Sequence, residues 1–107
     1  MAANPTDDPV LQRFRAALET MYGDRIDRVV LFGSRARGDA GPESDYDVAV
    51  FLKDLRDHWP ERMRLAELRV DFILDTGAFF ETQPFPADAW TERTPIMHEI
   101  RQDGVVV

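Results

Sequence analysis

The chain has 107 residues and a formal net charge of −7, set by 20 acidic against 13 basic residues. That length fits a single domain spanning 1–107, and the acidic balance repels a phosphate backbone, which argues against nonspecific binding to DNA or RNA. With no cysteines, disulfides and thiolate metal sites are excluded, no run approaches the ~20 apolar residues that cross a bilayer, and the opening residues lack a signal-peptide pattern, so a cytoplasmic domain without a membrane segment is expected.

In chain order, residues 1–7 are small and polar and are expected to be disordered. Asp8 can cap a helix with Pro9 at its first position. Val10, Leu11, Phe14, Ala17, Leu18 and Met21 then recur at helical spacing until Gly23 closes the pattern. Ile26 to Phe32 (IDRVVLF) is β-branched and aromatic, and reads as a buried strand ending at Gly33-Ser34. The stretch 34–44 holds Gly38, Gly41 and Pro42, predicting a short helical turn and a loop. A second strand is expected over 45–52 (DYDVAVFL), a helix over 60–68 (PERMRLAEL) and a third strand over 69–74 (RVDFIL). Residues 75–90, with Gly77, Pro84 and Pro86, read as irregular. A last helix is expected from Thr94-Pro95 to Gln102, capped by Gly104, with 105–107 as a short closing strand. Strands alternating with helices give an α+β (α/β-like) domain.

The chemistry concentrates between Gly33 and Asp47. Residues two apart in a strand share a face, so Asp45 and Asp47 are expected to project side by side. Two adjacent carboxylates repel, and a hard divalent cation such as Mg²⁺ relieves the repulsion while leaving positions open for phosphate. In the strand expected over 69–74, Asp71 would be a charge among apolar neighbours, costly unless paired or metal-bound, and could complete a three-carboxylate cluster if that strand lies beside the second. Asp75, four residues on, is the rival for that place. Gly33 lets a ligand approach the backbone, and Ser34 opens a turn whose free N–H groups can face an anion. Triphosphate at the turn, metal at the carboxylates and an acceptor opposite describe phosphoryl-type transfer.

Taken singly, each feature has a plainer reading. An Asp-x-Asp is ordinarily a solvated pair, Gly-Ser a turn, and Arg35 and Arg37 surface charges pairing with Asp39 or Glu43. His58 and His98 read as surface or interface histidines. Trp59 and Trp90 read as core or interface aromatics, and Tyr46 should face away from the aspartates. The aromatic stretch 79–90 reads as core packing or, alternatively, as a partner-binding patch.

The order and spacing together are more specific. Gly33-Ser34-Arg35-Ala36-Arg37-Gly38, five residues, then Ser44-Asp45-Tyr46-Asp47 resembles the signature of the polymerase β-like nucleotidyltransferase superfamily, and within it the minimal nucleotidyltransferase (MNT) branch. The resemblance covers residues 26–74 and, more loosely, the helix-Gly104-valine tail. Val48 stands where leucine is common. The resemblance implies a small mixed β-sheet with helices packed on one side. It implies Asp45, Asp47 and Asp71 as catalytic and metal-binding residues, Gly33 and Ser34 as nucleotide-binding, and one or two Mg²⁺ ions. It further implies ATP or another nucleoside triphosphate as donor and transfer of AMP to a partner protein, with this chain as the antitoxin of a HEPN/MNT toxin–antitoxin pair. Two other functions stay open: an antitoxin that acts by contact alone, and an antibiotic-type transferase acting on a small molecule, for which 107 residues leave little acceptor pocket.

Overall fold

A computed structural model describes residues 5–107; the first four residues of the expected disordered start lie outside the described residues. Pro5–Asp7 form a single 3-10 turn. Asp8 then caps helix α1 (Pro9–Tyr22), its carboxylate accepting from the N–H groups of Val10 and Leu11 at 2.8 and 3.2 Å, which satisfies two of the donors the helix start leaves free, Pro9 having none. Strand β1 (Ile26–Phe32) follows a second 3-10 turn, and a one-turn helix α2 (Ser34–Arg37) comes immediately after it. Strand β2 is Tyr46–Leu52, helix α3 His58–Thr76, strand β3 Phe80–Pro86, helix α4 Pro95–Asp103 and strand β4 Val105–Val106.

The sheet order is β3-β2-β1-β4. β1 is antiparallel to both β2 and β4, and β2 is parallel to β3, so the sheet is mixed. α1 and α3 lie on one face, where Leu11, Phe14, Leu18, Leu65 and Phe72 pack on Val29, Leu31, Val48, Val50 and Phe80. At its centre Phe14 stacks on Phe80 at 3.9 Å between ring centroids, and Phe80 stacks on Tyr46 at 4.5 Å. The opposite face is also covered: α4 and a 3-10 turn over Ala87–Thr91 bury Val30, Phe32, Ala49 and Phe51 under Ala89, Met97 and Ile100. The long helices therefore keep to one side as expected, and α4 adds a thinner layer on the other.

Two expected elements are corrected. Residues 69–74 are not a strand but the second half of α3, which runs unbroken for 19 residues from its Asp57 cap to Gly77, a left-handed C-cap at φ 76°. Phe72 points inward two helical turns from Leu65, and this tertiary packing outweighs the strand preference of Val70, Phe72 and Ile73. The third strand is instead 80–86, inside the stretch read as irregular. β3 sits at the sheet edge, where Pro84 and Pro86, of one parity, cost no sheet hydrogen bond if their nitrogens face outward. Among the described residues no helix is long and apolar enough to cross a membrane.

Candidate active site

β1 ends with Phe32 opposite Asp47 of β2, and the chain turns at once. Gly33 takes φ 74° and ψ −157°, a backbone state essentially reserved for glycine. A Cβ there would lie 3.2 Å from Cγ of Asp47 and inside contact distance of its Oδ2. The turn thus rests directly against the Asp47 carboxylate. The Gly33 carbonyl accepts from the N–H groups of Ala36 and Arg37, each at 3.1 Å, and Gly38 stops α2 with a left-handed φ of 84°.

Arg35 shapes the loop that follows. Its guanidinium donates to the carbonyls of Ser44 at 2.8 Å and Pro42 at 3.3 Å, and lies 3.9 Å over the Tyr46 ring. The Tyr46 hydroxyl donates to the carboxylate of Asp8, the α1 cap. Desolvation, then that hydrogen bond and the Asp8 charge, push the Tyr46 phenol up to about 12, against the lowering effect of Arg35. These contacts tie the loop, the start of β2 and the start of α1 into one unit.

Asp45 is exposed just before β2, and Asp47 is half-buried at its second position. Glu81 is the β3 residue in register with Asp47 and carries the same alternation, opposite in face to Phe80. It forms an ion pair with Arg69 at 3.5 Å. The Asp47 carboxyl is held above its ordinary value, first by burial and then by the charges of Asp45, Glu81 and Glu99, with Arg37 acting the other way. Arg37 is itself fixed by Asp39 at 3.2 Å and Asp103 at 3.5 Å. Beside the carboxylates opens a cleft of about 750 Å³, lined by Arg35, Ser44, Asp45, Phe79 and Glu81 among others.

Among the described residues, no three histidine or carboxylate side chains are gathered into a ready-made metal cage. The site offers crowded oxygen donors with open positions around them. That set fits Mg²⁺, which is held by one or two carboxylates together with substrate phosphates.

A family model described as a nucleotidyltransferase domain matches residues 11–97. The chain belongs to that family. Two curated relatives are proteins of Methanocaldococcus jannaschii, each named "putative protein adenylyltransferase". One is 44% identical over 46 residues, covering 43% of this chain and 46% of the relative. The other is 41% identical over 44 residues, covering 41% and 44%. The matched stretch spans less than half the length of either relative. Among solved structures, a toxin–antitoxin crystal structure with AMP-PNP superposes with a TM-score of 0.64 at 18% identity, over 89% of this chain and 70% of that one. A nucleotidyltransferase structure from Sulfolobus solfataricus gives 0.51 at 17% identity, over 91% and 75%. At these identities the structural likenesses establish the nucleotidyltransferase fold.

Within this nucleotidyltransferase domain, the structure brings Gly33, Ser34, Asp45 and Asp47 to one corner, as their spacing predicts. It does not bring Asp71 there. Asp71 is exposed on α3 beside a shallow hollow it shares with Met63, Ala66, Glu67 and Val70, and it is not among the charges acting on Asp47. The rival, Asp75, is paired with Arg13. The carboxylate that faces Asp47 is Glu81, missed because its strand was read as irregular. The signal was present: Phe79-Phe80-Glu81-Thr82 alternates an acid among apolar or β-favouring residues directly after the helix-stopping Gly77. The partner-binding reading of the aromatic stretch is likewise corrected for most of its rings. Phe80 is core, Phe85 stacks on Phe51, and Trp90 packs edge-on against Phe51 under the Arg28 guanidinium. Of that stretch, Phe79 is the aromatic ring left exposed.

Proposed function

We propose that this domain transfers AMP from ATP onto a hydroxyl of a partner protein, in the cytoplasm, as the antitoxin of a toxin–antitoxin pair whose toxin is of the HEPN type. The observation that carries the catalytic part is the half-buried Asp47, pressed against the Gly33 turn and faced by Asp45 and Glu81. A site that gathers several carboxylates around a half-buried one, only partly offset by Arg37 and Arg69, is suited beside an open cleft to a cation-bound polyphosphate.

Asp45 and Asp47 would hold one or two Mg²⁺ ions, with Glu81 as the third carboxylate in place of Asp71. When bound, the cation neutralises the carboxylates and the developing phosphate charge. The chain's own part is placement. Gly33 permits phosphate to approach the backbone, and the N–H groups of Ser34 and Arg35, the first two of α2, have no acceptor within the helix and can donate to it. Asp47 is seated by its buried strand, which fixes its direction. Glu81, exposed at the cleft, stands where it can accept the proton of an incoming hydroxyl. The relatives named as protein adenylyltransferases, and the structural neighbour solved as a toxin–antitoxin with AMP-PNP, support adenylyl transfer to a protein.

Incubation of the purified chain with labelled ATP, Mg²⁺ and the product of the adjacent gene tests this reading. Label on the protein, lost with Asp47→Asn, is the expected result. Neutralisation of a toxin with no label on it would support the contact-only antitoxin. Label on a free small alcohol or aminoglycoside would support the antibiotic-type transferase.

A further inference from the structure

α3 is apolar on two faces. Leu65 and Phe72 point into the core, whereas Trp59, Met63, Val70 and Leu74 are 68, 45, 53 and 81% exposed. A single exposed apolar residue is unremarkable, but these recur at helical spacing along the outer side of one helix, with Ala66 between them. The stripe runs about 22 Å at 1.5 Å per residue.

The charges beside the stripe are sorted by sign. Taking Met63 and Val70 as heptad positions a, and Trp59, Ala66 and Ile73 as d, places Arg62 and Arg69 at g and Glu67 at e. Arg62 and Glu67 are exposed and, among the described residues, neither is engaged in an ion pair. Arg62 and Glu67 are also five residues apart, the separation at which g of one helix meets e of a parallel partner.

We propose that this face of α3 is a self-association surface, on which a second copy of the chain docks its own α3 in parallel about a two-fold axis. Symmetry then forms the Arg62–Glu67 pair twice, once in each direction. An antiparallel docking would set the basic row against the basic row. The face is complementary to itself, because one helix supplies both signs at the required offset, and a second copy is therefore its occupant. The stripe is short, so its contact area lies at the low end of specific interfaces and the dimer is weak and reversible.

Sedimentation velocity on the purified chain over a wide concentration range tests the proposal. The expected result is a monomer–dimer equilibrium that Arg62→Glu or Glu67→Arg each weakens on the order of tenfold or more, since each change turns two attractive contacts into repulsive ones. Mixing the two single variants should restore dimer as a heterodimer, and the chain carrying both changes should dimerise like the parent. Circular dichroism on each variant verifies that α3 is intact, and both positions are exposed. Three results would overturn the proposal: a chain that stays monomeric at every concentration, single variants that dimerise like the parent, or a stripe that captures a different protein while never pairing with itself.

Discussion

At Gly33 two demands fall on one position, a left-handed φ and no room for a side chain beside Asp47. Gly33→Ala should cost on the order of 1–3 kcal/mol in urea unfolding, the price of a strained backbone, and should abolish nucleotidyl transfer by displacing Asp47. Unchanged stability would mean the turn relaxes without strain. Asp47 carries the opposite sign. Its folded carboxyl lies above the ordinary 3.8, so between those two values the folded chain binds more protons than the unfolded one. Stability therefore falls as pH rises through that window, and the cost persists at neutral pH. Asp47→Asn removes it, so the metal-free variant at pH 7 should melt at the same temperature as the parent or higher while losing transfer. A strongly lowered melting temperature would make Asp47 a structural residue. Both tyrosines, Tyr22 and Tyr46, are raised from 10 to about 12, in each case mainly by burial. The folded state keeps their protons through that interval, so stability should decline as pH rises from 10. Tyrosinate absorbance should appear only near pH 12 or with unfolding. Ionisation of both near 10 in the intact fold would contradict their burial.

At the scale of elements, legibility followed how local the determining physics was. α1 announced itself through Asp8, Pro9 and an apolar period ended by Gly23, all readable within one window. The same holds for α4, where the Thr94 hydroxyl accepts from the N–H of Met97 at 3.3 Å and Pro95 opens the helix. α3 was cut in two because 69–74 is rich in strand-favouring residues. The overriding cue was that no glycine or proline interrupts 61–76, and that Leu65, Phe72 and Thr76 recur at helical spacing. β3 was hidden by its prolines, whose tolerance depends on edge position, a fact of topology and not of local sequence. The candidate site divided the same way. Asp45 and Asp47 lay within one short motif and were found; Glu81 required the pairing of β3 with β2. Arg35 looked like a solvated charge because its acceptors are main-chain carbonyls that no sequence displays. Arg35→Ala should speed amide hydrogen exchange through 38–46 and cost about 1–2 kcal/mol, from its hydrogen bonds and its ring contact. Unaltered exchange in that loop would show that the glycine turns alone define it.

For the whole molecule, the governing fact is a sheet buried on both faces. From Val48 to Leu52 every β2 side chain is buried, and such an unbroken apolar run marks a strand covered on two sides. Read that way, the run foretells a cover opposite α1 and α3, which α4 and the Ala87–Thr91 turn supply. This two-sided burial anchors the strands that carry Asp47 and Glu81, which sit at the rim where β2 and β3 begin, beside the cleft. The measurement that tests this account most directly is labelled AMP transfer by four proteins: the parent, Asp47→Asn, Glu81→Gln and Asp71→Asn. Transfer is expected from the parent and from Asp71→Asn, with loss of orders of magnitude in the other two while all four remain folded. Loss of transfer in Asp71→Asn together with full activity in Glu81→Gln would contradict it.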